Sequence, residues 1–169
     1  MPTRTEIWAK YAKDRFESTS KRVDEFRNWA RQLGAAIAVV IGFELTLLGR
    51  ALDLKSPTNR WLRDACLLLF LVAAAFQARL LFRMLRTGYV GRKAMAPESP
   101  VTLWYHLEKE NKSPDETDWI IGAYYANAHD RYHALSEELG NDVGRATRSF
   151  ARSIALFLIG VALFVLAAV

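Results

Sequence analysis

The chain has 169 residues, a net charge of +5 at neutral pH, a 51% hydrophobic composition and a mean hydropathy of zero. These averages fit one domain of ordinary solubility, but the charged residues are strongly segregated along the sequence. The sequence contains no Gly-rich phosphate loop, no Ser-His-Asp set and no reactive-cysteine context, so we expect neither enzymatic activity nor a cofactor. Its single cysteine, Cys66, excludes an intrachain disulfide.

The first element is a polar N-terminal segment, residues 1–31, which lacks the features of a secretory signal. Its sequence TRTE, residues 3–6, fits a capping box, in which a hydroxyl and a glutamate three residues later satisfy free backbone N–H groups. Beyond this start, apolar residues recur every three or four positions, which predicts one apolar stripe on an amphipathic helix. The stripe consists of Trp8, Ala12, Phe16, Thr19, Val23, Phe26, Ala30 and Leu33.

Three apolar segments predict transmembrane helices: residues 32–52, residues 61–87 and residues 151–169. A bilayer core about 30 Å thick needs a helix of about 20 residues, and the second segment reaches this length only beyond its 14 central uncharged residues. We therefore expect an all-α integral membrane protein with three spans; two spans or a soluble fold are the alternatives. Small residues favour close helix packing in the first span: Gly34, Ala35, Ala36, Ala38 and Gly42.

The remaining segments are a short outer loop, residues 53–60, a cytoplasmic loop with a short helix, residues 88–112, and a cytoplasmic helix, residues 113–150. A second capping box, SPDE, opens this last helix with Pro114 at its first position, and Gly140 and Gly144 are candidate points for a kink or break. Its apolar stripe consists of Ile121, Tyr125, Ala128, Tyr132, Leu135, Leu139, Val143, Ala146 and Phe150. The two stripes must pack on each other or on neighbouring copies, which predicts a homo-oligomeric helical bundle.

The basic residues predict the orientation. Arg145, Arg148 and Arg152 precede the last span and no basic residue follows it, so residues 87–150 and the N-terminus are expected on the cytoplasmic side of the cell inner membrane. The positive charge then lies near anionic lipid headgroups. The lipid bilayer is thus the first expected partner, and the charge does not require nucleic acid.

Glu44 is the strongest functional candidate, because a charged group at a bilayer centre costs about 3 kcal/mol on insertion scales. A count along the helices places Glu44 about 9 Å from the outer end of its span and Arg79 about 27 Å from the outer end of the next, which excludes a salt bridge by depth. Arg63 is nearer. In a symmetric oligomer Glu44 repeats as a ring of carboxylates around a cation path. The alternative is a helix contact in which Glu44, ionised or protonated, hydrogen-bonds Thr46 or the backbone of a neighbouring helix. Thr46 and Gln77 complete the predicted set of intramembrane polar residues.

A second candidate is a basic face at the inner end of the second span. Arg79, Arg83 and Arg86 follow one another at helical spacing, and Arg92 and Lys93 come just after them. This face either anchors the helix to lipid headgroups or binds a nucleotide or another phosphate ligand.

A third candidate is the sequence HDRYH, in which His129, His133 and Glu137 share one helical face. This spacing can hold zinc and is similar to the H-E-x-x-H helix of metalloproteases. Asp130 replaces the general-base glutamate, however, and no downstream His or Cys supplies a further ligand. We therefore expect a solvated helix face rather than a metal site.

A charged amphipathic helix, YAKDRFESTSKRVDEFRNWARQLG, enters the first span, a tight hairpin follows, and a helix with the pattern YYANAHDRYHALSEEL runs into the last span. This layout resembles the small multi-span membrane effectors of bacterial anti-phage defence systems of the Pycsar and Hailong type. The resemblance is architectural and carries over no functional residues. It implies a homo-oligomeric subunit that forms an ion channel or disrupts the membrane when a cytoplasmic protein or nucleotide regulator signals. The alternative is a non-conducting anchor or assembly subunit that docks a soluble partner.

Overall fold

A computed structural model of the chain describes residues 2–53, 60–90 and 112–168. They form three long helices, α1 (Arg4–Leu52), α2 (Arg60–Leu85) and α3 (Pro114–Ala168), and a π-helical turn, Arg86–Val90, directly after α2. No strand occurs in these three stretches, so the predicted all-α class is confirmed for them. The short helix predicted before residue 112 lies outside the described residues.

The helix starts predicted by the two capping boxes are confirmed. The Glu6 backbone N–H donates to Thr3 Oγ1 at 3.2 Å, directly at the start of α1. At the start of α3, the Glu116 N–H donates to Ser113 Oγ at 3.4 Å and the Ser113 N–H donates to Glu116 Oε2 at 3.0 Å, with Pro114 as the first helical residue. The hydrogen bonds from the Ser113 backbone and then from its hydroxyl lower the pKa of the Glu116 carboxyl.

Of the kink or break expected at Gly140 and Gly144, the break does not occur, because α3 continues through both residues. A glycine costs about 1 kcal/mol relative to alanine inside a helix, which a packed helix of this length can absorb. Gly140 has in addition a packing role, since a Cβ there would lie 3.0 Å from the ring of Phe26. Likewise, α1 is one continuous helix across the expected junction between residues 31 and 32.

The described residues divide into two compact units. Residues 2–27 and 112–140 form the two-helix unit, built from the first parts of α1 and α3. Residues 28–53, 60–90 and 141–168 form the three-helix unit, built from the rest of α1, from α2 with its π-helical turn, and from the rest of α3.

In the two-helix unit, α1 and α3 run parallel. Trp8 stacks on Trp119 with ring centroids 4.8 Å apart, and further along both helices Val23 packs with Leu135 and Leu139. Every member of the two predicted stripes that belongs to this unit is buried or half-buried. The stripes thus pack on each other within one chain, as one of the two predicted arrangements requires.

In the three-helix unit, α2 runs antiparallel to α1 and α3. Its core is a cluster of Ala30, Ile37, Leu80, Met84, Val143 and Ala146. Two helices bury one residue every seven positions, which is the spacing of a coiled-coil seam. These residues are Ala30, Ile37, Glu44 and Ala51 in α1, and Ala146, Ser153, Gly160 and Ala167 in α3. The small residues of α3 allow close approach: a Cβ on Gly160 would lie 2.8 Å from the ring of Phe70.

The three helices are long and apolar enough to span a membrane. Only 17%, 28% and 17% of the residues in their most apolar windows are buried. Large apolar side chains therefore cover the outside of the three-helix unit, among them Val39, Phe43, Leu45, Leu68, Leu71, Val72, Phe76, Leu158, Ile159, Val165 and Leu166. A surface of this extent is unusual for a soluble monomer and is compatible with lipid contact.

Candidate functional site

Glu44 lies inside the three-helix unit rather than on its surface. It occupies the seven-residue seam of α1 between Ile37 and Ala51, and its side chain is only 1% exposed. The flanking seam residues are apolar, so the helix pattern alone would place an apolar side chain at this position. Glu44 is therefore held by the same packing that forms the core.

Gln77 of α2 is the partner of Glu44. Its Nε2 donates to Glu44 Oε1 at 2.7 Å, and its side chain is fully buried. The second oxygen of each group, Glu44 Oε2 and Gln77 Oε1, has no hydrogen-bond partner among the described residues. Buried polar atoms without a hydrogen-bond partner are rare in native proteins. These two oxygens therefore mark a buried site that has fewer hydrogen-bond donors than acceptors.

The depth count that separated Glu44 from Arg79 is wrong. In α1 eight residues follow Glu44, whereas in α2 17 residues precede Gln77. Because the two side chains nevertheless meet, α2 begins about 13 Å beyond the level at which α1 ends. Arg79 is consequently not separated from Glu44 by depth. It is separated by angle, because residues two apart on a helix point in nearly opposite directions, and Arg79 is exposed.

The other two residues proposed to contact Glu44, Arg63 and Thr46, form their hydrogen bonds with different partners. Arg63 donates from Nη2 to the adjacent Asp64 Oδ1 at 2.9 Å. Thr46 is exposed and donates from its hydroxyl to the Gly42 carbonyl oxygen of its own helix at 2.9 Å. It lines an open groove of about 490 Å³ between α1 and α3. Of the predicted intramembrane polar residues, the structure brings Glu44 and Gln77 together and leaves Thr46 apart.

The predicted basic face contains an acidic partner that the sequence did not single out. Arg83 Nη2 donates to Asp142 Oδ1 of α3 at 2.5 Å, while Arg79 and Arg86 are exposed. One of the three arginines thus links two helices, which lowers the net positive charge of this face. Arg92 and Lys93 lie outside the described residues.

The residues of the HDRYH sequence lie in the two-helix unit. His129 Nδ1 is 3.0 Å from the hydroxyl of Thr19 on α1, and His133 Nδ1 is 3.8 Å from Glu137 Oε1 on the exposed side of α3. In the part of the chain that the structure describes, no group of three His, Cys, Asp or Glu residues is placed to hold a metal ion. Thr19 also donates to the Arg15 carbonyl at 3.0 Å, so its hydroxyl connects the histidine to α1.

The small residues of the first span have two different environments. Gly34 is buried, and a Cβ there would contact Leu81 and Met84 at 3.7 Å. The other four small residues, Ala35, Ala36, Ala38 and Gly42, are exposed. These four residues therefore do not mediate packing within the chain.

No protein-family model, no curated protein and no solved structure matches this chain.

Proposed function

We propose that the chain is an integral membrane protein that assembles into homo-oligomers and admits ions or breaches the inner membrane when its two-helix unit receives a cytoplasmic signal. Anti-phage defence is the setting that the architectural resemblance implies. In this proposal the N-terminus is cytoplasmic, and the three apolar helices lie in the bilayer.

The observation that carries this proposal is the buried Glu44–Gln77 pair. An ionisable residue within a membrane span is expensive, and such residues commonly mark ion or proton pathways. In the described arrangement Glu44 faces the helices of its own chain, so we assign this arrangement to a closed state. Opening then requires the three helices to part around the pair.

The exposed small residues of α1 support the oligomer. Ala35, Ala38 and Gly42 follow one another at helical spacing on the surface of the three-helix unit. A Cβ on Gly42 would meet no atom within 4 Å. Small residues on a membrane helix allow the backbone of a neighbouring helix to approach closely. The second copy of the chain is the partner that this face fits.

Ion flux from reconstituted vesicles tests the proposal. Wild type, Glu44→Gln and Thr46→Val are compared at equal protein-to-lipid ratio, together with the membrane potential of cells that express each variant. We expect wild type to release K⁺ and Glu44→Gln to change the rate or the preference for cations. Thr46→Val is the matched control, because the Thr46 hydroxyl bonds only its own helix. Vesicles that contain symmetric oligomers but stay sealed both alone and with a bacterial cytoplasmic extract, added as the source of the signal, would contradict the proposal.

A second candidate function, a non-conducting anchor that docks a soluble partner, is favoured by the position of Glu44 in the seven-residue seam. A single polar residue in such a seam can fix the register and pairing of helices. For an anchor, Glu44→Gln leaves the membrane impermeable and either weakens assembly or has no effect. The same vesicles, examined for both flux and oligomeric state, separate the two functions.

A further inference from the structure

Within the described stretches, the buried Glu44–Gln77 pair lacks a hydrogen-bond donor for two of its oxygen atoms. Glu44 is 1% exposed and Gln77 is fully buried, so water outside the protein does not reach them. The hydrogen bond from Gln77 Nε2 to Glu44 Oε1, 2.7 Å long, leaves Glu44 Oε2 and Gln77 Oε1 without a donor among the described residues. Both orphaned atoms are acceptors if Glu44 is ionised.

Two hydroxyl groups near this level of the three-helix unit donate within their own helices. Thr46 on α1 donates to the Gly42 carbonyl oxygen at 2.9 Å. Ser153, which is buried on α3, donates to the Phe150 carbonyl oxygen at 2.8 Å. Neither hydroxyl hydrogen is available for Glu44 Oε2.

No counter-charge faces the carboxyl group from any of the three helices. On α1, Arg50 is the nearest basic residue on the outer side, and it is exposed. On α2, Arg79 is exposed, Arg63 contacts Asp64, and the Cys66 thiol lies about 16 Å along the helix from Gln77. On α3, Arg148 and Arg152 are exposed, and residues 153–168 contain no titratable side chain.

A metal ion does not fit the site. Calcium takes six to eight oxygen ligands, and magnesium needs six in an octahedral arrangement. The pair offers two oxygens without a hydrogen bond in the described part of the chain, Glu44 Oε2 and Gln77 Oε1, which are too few for either ion. A buried charge without a partner is more easily removed by binding a proton.

We propose that Glu44 Oε2 binds a proton taken from water and donates it in a hydrogen bond to Gln77 Oε1. The two side chains then form a reciprocal pair with one hydrogen bond in each direction. A single proton satisfies both orphaned oxygens and removes the buried charge. The site is thus a proton-binding site inside the three-helix unit, and it does not depend on whether the protein conducts ions.

This protonated state makes glutamine a close mimic of Glu44. In Glu44→Gln the new amide N–H replaces the acid O–H as the donor to Gln77 Oε1, and both hydrogen bonds persist. An ionised Glu44, by contrast, would lose its charge in this variant and with it the charge-assisted bond. We expect Glu44→Gln to insert and fold like wild type.

Infrared difference spectroscopy of the full chain in lipid vesicles at neutral pH tests the proposal. The spectrum of wild type minus Glu44→Gln should contain the C=O stretching band of a protonated carboxylic acid, shifted downward in D₂O. The matched control is Glu25→Gln, the same substitution at an exposed position of α1, which should produce carboxylate bands alone. Carboxylate bands in the Glu44→Gln difference spectrum would overturn the proposal.

The variant Gln77→Leu tests the partner and carries the experiment if Glu44→Gln fails to fold. Removal of the acceptor should keep the acid band and move it to higher wavenumber, because a free acid C=O stretches at higher energy than a hydrogen-bonded acid. An acid band at the same position as in wild type would overturn the reciprocal pair. Loss of the acid band in Gln77→Leu would overturn the claim that burial alone keeps Glu44 protonated. The spectra contain no flux measurement, so a sealed vesicle leaves this test unaffected.

Discussion

Arg83 Nη2 on α2 donates to Asp142 Oδ1 on α3 at 2.5 Å, which connects two antiparallel helices of the three-helix unit. The side chains are 47% and 28% exposed, so solvent screens the pair. Its contribution to stability is therefore modest, although its geometry is short and direct.

We expect Arg83→Gln and Asp142→Asn each to lower the free energy of unfolding by about 0.2–1 kcal/mol, the range of exposed ion pairs. The double variant should lose no more than the larger single change, because each change removes the same interaction. Unfolding in mixed micelles by titration with sodium dodecyl sulfate measures all four proteins. Fully additive losses would mean that the two residues act separately.

The two exposed arginines beside this pair should carry the dependence on anionic lipid. Replacement of Arg79 and Arg86 by glutamine should reduce the stabilisation that anionic lipid gives by roughly 1 kcal/mol per arginine. Arg83→Gln serves as the control and should have a smaller effect, because Arg83 already contacts Asp142. Thermal unfolding in nanodiscs with and without phosphatidylglycerol measures the difference. An equal effect of all three substitutions would contradict the claim that pairing with Asp142 reduces the contact of Arg83 with lipid.

Gly122 has no room for a side chain. A Cβ there would overlap the indole ring of Trp8, which stacks on Trp119. Gly122→Ala should therefore destabilise the two-helix unit by about 1–3 kcal/mol, the cost of overpacking.

Gly144→Ala is the matched control, because no atom lies within 4 Å of its added Cβ. Alanine is the better helix former, so this variant should gain about 0.5–1 kcal/mol. Far-ultraviolet circular dichroism follows the thermal unfolding of both variants, and near-ultraviolet circular dichroism reports in addition on the Trp8–Trp119 stack in Gly122→Ala. Opposite signs of the two shifts confirm the prediction, and equal shifts contradict it.

The hydrogen bonds between Glu116 and Ser113 predict that the stability of the first turn of α3 depends on pH. The pKa of Glu116 is lowered in the folded chain, so its contribution is present above the unfolded pKa and is lost as pH falls through the folded pKa. Amide hydrogen exchange in the first turn of α3 should be faster in Glu116→Gln than in wild type at neutral pH. The two proteins should become alike in acid. A difference that persists in acid would assign it to something other than the carboxylate.

A substitution at Gly42 tests whether the exposed small-residue face of α1 forms the oligomer interface. Gly42→Leu places a large side chain on the exposed small-residue face without a clash inside the chain, so the helices should still fold while the oligomer weakens. Val72→Leu, which adds one methylene at an exposed site of α2 rather than on this face of α1, is the control and should leave assembly unchanged. Cross-linking in vesicles and mass photometry of nanodiscs measure the oligomer. An unaltered oligomer in Gly42→Leu would place the interface elsewhere.

Local patterns in the sequence predict much of this fold. Both capping boxes mark helix starts, and the stripe residues of α1 and α3 are buried or half-buried, because hydrogen-bonded turns and helical periodicity depend on neighbours in the chain. The length and apolar character of the three helices are readable for the same reason. Glu44 is recognisable because it is the only charged residue in its run.

The partner of Glu44 is not predictable in the same way. A count along two helices assumes that both begin at one level, whereas side-chain packing sets the register, and Gln77 meets Glu44 from a helix that begins further out. The available signal is composition: Gln77 is the only strongly polar residue between Asp64 and Arg79. The pairing of Arg83 with Asp142 is missed because these residues are far apart in sequence and only tertiary packing brings them together.

The seven-residue seams of the three-helix unit also fix where the sequence can vary. A saturation mutagenesis scan scored for membrane insertion should show intolerance with a period of seven, at Ala30, Ile37, Glu44 and Ala51 of α1 and at Ala146, Ser153, Gly160 and Ala167 of α3. At the small positions of α3 the forbidden changes are increases in volume. At Glu44 the same scan should accept glutamine and reject lysine, so one position in the repeat selects for chemistry while its neighbours select for size.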